Sequence, residues 1–288
     1  MFSGIRMNDM GSTTTVEARK TAFLWLPFLV LPAIYLPALY DLVVDWYSDP
    51  NYSHGFLIPI ISGFLLWKKR EAILSAPRAT DNGGLVVLVA GLLLFVAANG
   101  AAEYFTIRLS LLVTFIGLVY YLFGREIVKL ARFELLFLVF MIPVPYLIYY
   151  ATTVPMQLLA SKITVWALNV LGAGAFRQGN IIYLGDTALE VAEACSGMRS
   201  LVSLLALGCL YAHLSQKRPS AKLILFASTV PIAVIGNAFR VFVTSLLAYT
   251  VTENVTDEPL HTILGLSVFV VAFVLLFILA TVLRRLFR

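Results

Sequence analysis

The sequence predicts an all-α integral membrane protein: a polytopic bundle of about eight transmembrane helices with one interfacial helix and a small extracytoplasmic β-hairpin. Three observations predict this class: 60% of the 288 residues are hydrophobic, only 13% are charged, and long apolar runs recur along the chain. Soluble domains are roughly half apolar and about a quarter charged, so this composition excludes a soluble globular enzyme. Aromatic residues make up 13% of the chain and there are only 2 cysteines, which excludes a disordered chain and a disulfide scaffold.

The candidate spans follow from the thickness of the bilayer, since about 20 apolar residues of helix cross its hydrocarbon core. Apolar runs that fit, separated by charged loops, occupy residues 21–44, 54–67, 84–99, 106–123, 134–152, 195–214, 222–249 and 261–283. Residues 1–20 are predicted to form a cytoplasmic N-terminal tail, and residues 21–288 a polytopic transmembrane domain.

Loop charges predict the orientation of these spans. Lys and Arg cluster before the first span and after the second, fourth, sixth and eighth, so we expect these loops in the cytoplasm. The remaining loops carry Asp and Glu and are expected outside. The same rule explains the net charge of +5 without a nucleic-acid partner, and the predicted surroundings are the lipid bilayer.

Residues 154–172 do not fit this alternation, because counting them as a crossing would place the later basic loops outside. Their polar members, Gln157, Ser161, Lys162 and Asn169, suit an amphipathic helix in the outer interface or a re-entrant segment. Residues 180–191 contain two β-prone runs around a Gly-Asp pair, which predicts a small hairpin at the outer surface.

Two residues near the predicted outer surface are candidates for chemistry. Arg240 lies inside the seventh span, roughly 14 Å before its outer end, where burying a charge costs several kcal/mol. A structural arginine that satisfies helix-end carbonyls is the alternative.

Cys195 lies at the outer start of the sixth span, where the helix dipole and Arg199, one turn later, favour a nucleophilic thiolate. A small packing residue is the alternative there, as it is for Cys209, which lies too far along the helix to form a disulfide with Cys195.

His261 opens the eighth span on the outer side, so the topology predicts that it shares a leaflet with Cys195 and Arg240. A thiol, a histidine base and a cationic group form a set suited to thiol acyl transfer, whereas a surface or capping histidine is the alternative. The sequence has no HExxH, CxxC, phosphate-binding glycine loop or Gly-x-Ser-x-Gly motif, so we expect no metal and no cofactor.

Three short segments and one histidine resemble the exosortase/archaeosortase family of membrane-embedded transpeptidases. They are Tyr52-Ser53-His54-Gly55-Phe56-Leu57, Ala194-Cys195-Ser196-Gly197-Met198-Arg199-Ser200-Leu201, Asn237-Ala238-Phe239-Arg240-Val241, and His261 at the head of the last span. The resemblance covers the chain from about residue 21 to 283. It implies that Cys195, Arg240 and His261 are catalytic. We further expect Arg199, Asn237 and His54 to bind the substrate.

The resemblance also implies the activity and its setting. Exosortases are thought to process secreted proteins with a C-terminal sorting signal, made of a Pro-Glu-Pro motif, a transmembrane helix and a basic tail. The implied location is the inner membrane of a bacterium that makes extracellular polysaccharide, with the active site facing the periplasm. Two alternatives stay open: a polytopic transporter, in which Arg240 and His261 line a permeation route, and a non-catalytic subunit of a polysaccharide-export complex. The oligomeric state is not predicted.

Overall fold

The computed structural model describes residues 25–185, 187–191, 197–250 and 260–287, with side chains at all of these positions except 260–263. The helices are α1 (Trp25–Ile34), α2 (Leu36–Ser48), α3 (Leu57–Lys68), α4 (Arg70–Ser75), α5 (Asn82–Gly100), α6 (Tyr104–Phe123), α7 (Arg125–Phe137), α8 (Tyr146–Val170), α9 (Met198–Ser215), α10 (Pro219–Thr250) and α11 (Leu260–Leu286). The strands are β1 (Phe176–Gln178), β2 (Ile181–Leu184) and β3 (Thr187–Glu190). The chain forms two compact units: unit 1 is Met1–Asp45 with Gly55–Pro143, and unit 2 is Trp46–His54 with Val144–Arg288.

Five of the described helices are long and apolar enough to cross a membrane: α5, α6, α9, α10 and the Leu264–Leu286 part of α11. The bent pair α1 and α2 adds a sixth if it counts as one span. The predicted class, a polytopic helical membrane protein, is confirmed. Three of the eight predicted spans, 21–44, 54–67 and 134–152, do not correspond to single span-length helices. Residues 54–67 contain α3, which has 12 residues, and residues 134–152 are divided among α7, a 3-10 turn and α8.

The first predicted span, 21–44, contains a bend of 67° between α1 and α2. Pro37 follows the bend, and its missing N–H removes one hydrogen bond of a continuous helix. Tyr35 lies at the bend and is fully buried. Its hydroxyl is 3.1 Å from Ser110 Oγ and 3.0 Å from Thr114 Oγ1, which fixes the bend against α6.

In unit 1, α5 and α6 pack with their backbones in close contact. A Cβ atom at Gly91 would lie 2.7 Å from the backbone nitrogen of Thr114, and one at Gly117 would lie 2.6 Å from Leu88 Cα. Small residues permit this approach, as they commonly do between membrane helices. The unit also contains two ion pairs with a buried partner, which join Arg108 to Asp45 at 2.7 Å and Lys69 to Glu134 at 2.8 Å.

In unit 2, α9, α10 and α11 pack as consecutive antiparallel helices. Gly208 of α9 faces Thr229 of α10, and Gly236 of α10 faces Val268 of α11. The helix α8 packs against α10, where the Thr164 hydroxyl lies 3.5 Å from the Ala238 carbonyl oxygen.

Most of the segment predicted over 154–172 belongs to α8, a single helix that begins at Tyr146, ends at Val170 and contains Pro155. It is not among the helices apolar enough to cross a membrane. Of the four polar residues that support the prediction, Ser161 is fully buried, Gln157 is half-buried, and Lys162 and Asn169 are exposed. The Ser161 hydroxyl donates to the carbonyl oxygens of Leu158 and Gly179. The choice between an interfacial helix and a re-entrant segment stays a prediction.

The three strands form one antiparallel sheet in the order β1-β2-β3. Leu184 of β2 pairs with Thr187 of β3, so the predicted hairpin is confirmed, and β1 extends it by one strand. Ile182 and Leu184 are buried in a cluster with Leu168 of α8 and Val241 of α10. The sheet is therefore anchored on α8 and α10, next to the motif that carries Arg240.

Candidate active site

Two polar side chains of α10 are buried on one face of the helix. Asn237 is 1% exposed and Arg240 is 6% exposed. Their spacing of one turn puts them on the same side of α10. Burial of a guanidinium, which stays charged at any physiological pH, is costly enough to mark Arg240 as a candidate functional residue.

Gly197, the residue before α9, packs directly against Asn237. It has a φ angle of +84°, in the left-handed region that glycine adopts without strain. A Cβ atom at Gly197 would lie 2.6 Å from Asn237 Cγ and 2.9 Å from Asn237 Nδ2. Only glycine fits here, so the start of α9 at Gly197 and Met198 is held against Asn237 of α10.

Arg240 also lies against α11. Its guanidinium carbon would be 3.8 Å from a Cβ atom at Gly265, within van der Waals contact. Gly265 follows His261 by one helical turn, so the two positions share one face of α11. The absence of a side chain at Gly265 lets the guanidinium pack against the first turns of this helix.

A short segment from the N-terminal part of the chain completes the described part of the site. Arg199 donates a hydrogen bond from Nε to Asn51 Oδ1 at 3.1 Å. One turn later, Ser203 Oγ and His54 Nδ1 are 3.3 Å apart. The two pairs bind the segment 51–54 along the first two turns of α9, close to the motif that contains Gly197.

The structure thus brings together four of the six predicted site residues on unit 2: Asn237 and Arg240 on α10, Arg199 on α9, and His54 in the segment that binds α9. Cys195 lies outside the described residues. His261 lies in the first turn of α11, where its backbone is described and its side chain is not.

Three residues that contact the predicted site residues were not predicted from the sequence: Asn51, Ser203 and Gly265. Their sequence signals are weak but identifiable. Ser203 follows Arg199 by four residues, which places both side chains on one face of a helix. Asn51 precedes the Tyr-Ser-His-Gly motif directly, and Gly265 lies one turn after His261 in a run that is otherwise mostly apolar.

The described site offers a buried cation, amide and imidazole groups, and an exposed Arg199, all within unit 2. A fixed guanidinium stabilises negative charge that develops on a carbonyl oxygen, and an exposed arginine suits recognition of a carboxylate.

The comparison with protein families gives one match. The family described as "Transmembrane exosortase" matches residues 46–278, a range that includes all three motif segments and His261. The match covers about four fifths of the chain. No curated protein and no solved structure matches the chain.

Proposed function

The chain belongs to the transmembrane exosortase family, and we propose that it is a cysteine peptidase or transpeptidase that removes the C-terminal sorting signal from secreted proteins. Membership of the family supports a membrane transpeptidase-like role in general, and the long apolar helices make the chain a multi-span membrane protein. The proposed location is the bacterial inner membrane, with the site facing the periplasm.

The proposed substrate carries a Pro-Glu-Pro motif, a transmembrane helix and a basic tail. Its helix enters the membrane beside the enzyme, so that the Pro-Glu-Pro segment lies at the outer surface near the site. Arg199, Asn237 and His54 bind this segment in the proposal. The exposed guanidinium of Arg199 suits the glutamate, because arginine forms bidentate hydrogen bonds with carboxylates.

The proposed reaction proceeds through a thioester. The Cys195 thiolate attacks the scissile carbonyl carbon, and Arg240 stabilises the oxyanion of the tetrahedral intermediate. His261 protonates the departing amine as the carbon–nitrogen bond breaks, which leaves the acyl group on Cys195. His261 then takes a proton from the incoming nucleophile, which displaces the thiolate. An amine nucleophile gives transpeptidation and water gives hydrolysis.

One observation supports this proposal most strongly: three segments that are far apart in the sequence meet at Asn237 and Arg240. They are the start of α9 at Gly197, the α10 segment that contains Asn237 and Arg240, and the first turns of α11 at Gly265. Gly197, two residues after Cys195 in the sequence, packs on Asn237. Gly265, one turn after His261, packs on Arg240. The chain between Cys195 and Gly197 reaches only about 7 Å when fully extended. Cys195 and His261 are therefore each within four residues, in the sequence, of a glycine that contacts α10.

The first experiment compares the two cysteines. A secreted reporter protein with the three-part C-terminal signal is co-expressed with wild-type enzyme, with Cys195→Ala and with Cys209→Ala, and tail removal is followed by immunoblot. We expect no processing with Cys195→Ala and nearly full processing with Cys209→Ala, since Cys209 is a half-buried residue in the middle of α9. Equal processing by both variants contradicts the thiol mechanism.

A second experiment tests the covalent step. His261→Ala removes the group that protonates the leaving amine and later activates the acceptor. We therefore expect either an enzyme–substrate thioester adduct that hydroxylamine cleaves or full-length substrate without any processing. Mass spectrometry of the peptide that contains residue 195 locates the adduct. Tail cleavage that continues in Cys195→Ala and is blocked by a metal chelator contradicts the proposal, as does transport of a solute without any cleavage.

A further inference from the structure

A second candidate site lies in unit 2 at the other end of α9. A partly open cavity of about 750 Å³ lies between the loop that joins α9 and α10 and the last turns of α11. Its wall carries four cations, Lys217 and Arg218 from the loop and Arg284 and Arg285 from α11. Two aromatic rings, Phe277 and Phe287, line it as well.

The described residues that line this cavity include four cations and no carboxylate. Lys217, Arg284 and Arg285 form no ion pair among the residues that the structure describes. The segment that contains Asp49 contacts the first turns of α9, whereas Lys217 follows its last turn. The 18 residues of α9 separate the two ends by roughly 27 Å, beyond the Debye length of about 8 Å at physiological salt.

The positive-inside rule explains Lys and Arg at the ends of spans but does not explain a cavity between them. Here the cations line a partly open cavity that also has aromatic residues in its wall. The N-terminus of α10, a helix of 32 residues, also lines the cavity through Ala221. Its dipole adds partial positive charge on the same side.

We propose that this cavity binds an anionic phospholipid, with the phosphate headgroup among Lys217, Arg284 and Arg285 and the upper acyl chains against Phe277 and Phe287. The cavity lies at the ends of two candidate spans, Met198–Ser215 and Leu264–Leu286, which is the depth of lipid headgroups. Its volume is several times that of a phosphate ion and leaves room for the glycerol and chain methylenes. This site is independent of the proposed peptidase chemistry.

The test uses the purified full chain in detergent and measures lipid binding by native mass spectrometry. Phosphatidylglycerol is compared with phosphatidylcholine, which has the same acyl chains and no net charge. Each cation near an anionic headgroup contributes about fivefold to affinity, so we expect wild type to prefer phosphatidylglycerol by at least tenfold. Equal binding of the two lipids overturns the proposal without the need for any variant.

A pair of triple variants locates the site. Lys217→Gln/Arg284→Gln/Arg285→Gln removes three exposed cations of the cavity, and Lys68→Gln/Arg125→Gln/Arg132→Gln removes three exposed cations of unit 1. Both change the net charge equally. We expect the variant of the cavity to lose the preference for phosphatidylglycerol and the variant of unit 1 to retain it. Equal loss in both variants overturns the proposal in favour of general surface charge. Displacement of the lipid by a modest excess of inorganic phosphate overturns the lipid assignment and leaves a phosphate site.

Discussion

Among the described residues, the ion pairs that join a buried side chain to a distant part of the chain, Lys69–Glu134 and Arg108–Asp45, both lie in unit 1. In unit 2, four cations line one cavity instead: Lys217, Arg218, Arg284 and Arg285. The difference is that charge joins separate segments in unit 1 and is concentrated around a cavity in unit 2.

The positions of the two buried arginines sharpen this comparison. Arg108 of unit 1 is 8% exposed and pairs with a carboxylate, and Arg240 of unit 2 is 6% exposed and packs against a glycine of α11. The ion pair of Arg108 indicates a structural role, whereas the role that we propose for Arg240 is chemical. The following predictions use such matched positions, from the largest expected effect to the smallest.

Replacing Arg240 is expected to have the largest effect. Arg240→Lys keeps the charge but loses the planar guanidinium, and loss of one oxyanion donor typically lowers the rate by about a hundredfold to a thousandfold. Arg108→Lys is expected to retain most activity, because an ammonium group still pairs with Asp45. Initial rates of reporter tail removal, normalised to folded enzyme, measure both. Equal losses at the two positions would assign Arg240 to structure alone.

Gly197 provides the second test, with Gly172 as its control. Both have a left-handed backbone, with φ of +84° and +80°, so alanine costs about 1–2 kcal/mol at either position. Only at Gly197 does the added Cβ collide with another side chain, that of Asn237, since nothing lies within 4 Å of a Cβ at Gly172. We expect Gly197→Ala to lower tail processing by about tenfold to a hundredfold through displacement of the site. Gly172→Ala is expected to process normally. The same loss in both variants would show that backbone strain alone is responsible.

The ion pair between Lys69 and Glu134 tests the structural role of charge in unit 1. Glu134 is fully buried and the Lys69 side chain is 36% exposed. Lys69→Gln leaves a buried carboxylate without its partner and is expected to destabilise the protein by about 3 kcal/mol. Glu134→Gln leaves a partly hydrated ammonium, so we expect a smaller loss. Thermal melting in detergent ranks the two variants. The reverse order would indicate that Glu134 is stabilised mainly by other groups.

The smallest effect is expected at the N-cap of α6. A hydrogen bond with the Thr106 side chain, followed by backbone N–H groups of Thr106 and Phe105, holds the pKa of Glu103 below its usual value despite some desolvation. The cap therefore stabilises the folded state above the unfolded-state pKa, and this contribution disappears as the pH falls through the lower folded-state pKa.

Glu103→Gln removes the charge from this cap and is expected to lower stability at neutral pH by about 1 kcal/mol or less. The difference in melting temperature between wild type and variant should shrink as the buffer is made acidic. Glu71→Gln, at an exposed position in α4, serves as a control. A difference that is constant from neutral to acidic pH would contradict a charged cap.

The sequence predicts those features of unit 2 that depend on local patterns. The length of the apolar runs predicts α9, α10 and α11, and the β-prone runs around Gly185 predict the hairpin of β2 and β3. The structure places Gly197 against Asn237, and the predicted clustering of Cys195, Arg240 and His261 stays a prediction.

Two features depend on information that local patterns lack. Asn51 and Arg199 are 148 residues apart, and their pairing has no periodic signal. The other is which polar residues of α8 contact the protein. Ser161 and Thr164 are fully buried, whereas Lys162 and Asn169 are exposed. Sequence periodicity identifies a polar face but not whether water or protein lies against it.

The pairing of Asn51 with Arg199 also sets an order of events during synthesis. The segment 51–54 leaves the ribosome long before its partners on α9, which are 148 and 149 residues later in the chain. At typical bacterial elongation rates this delay is roughly 7 to 30 seconds. The contacts of these two pairs cannot form on a nascent chain until α9 has been made. This part of the candidate site is therefore completed only in the last third of translation.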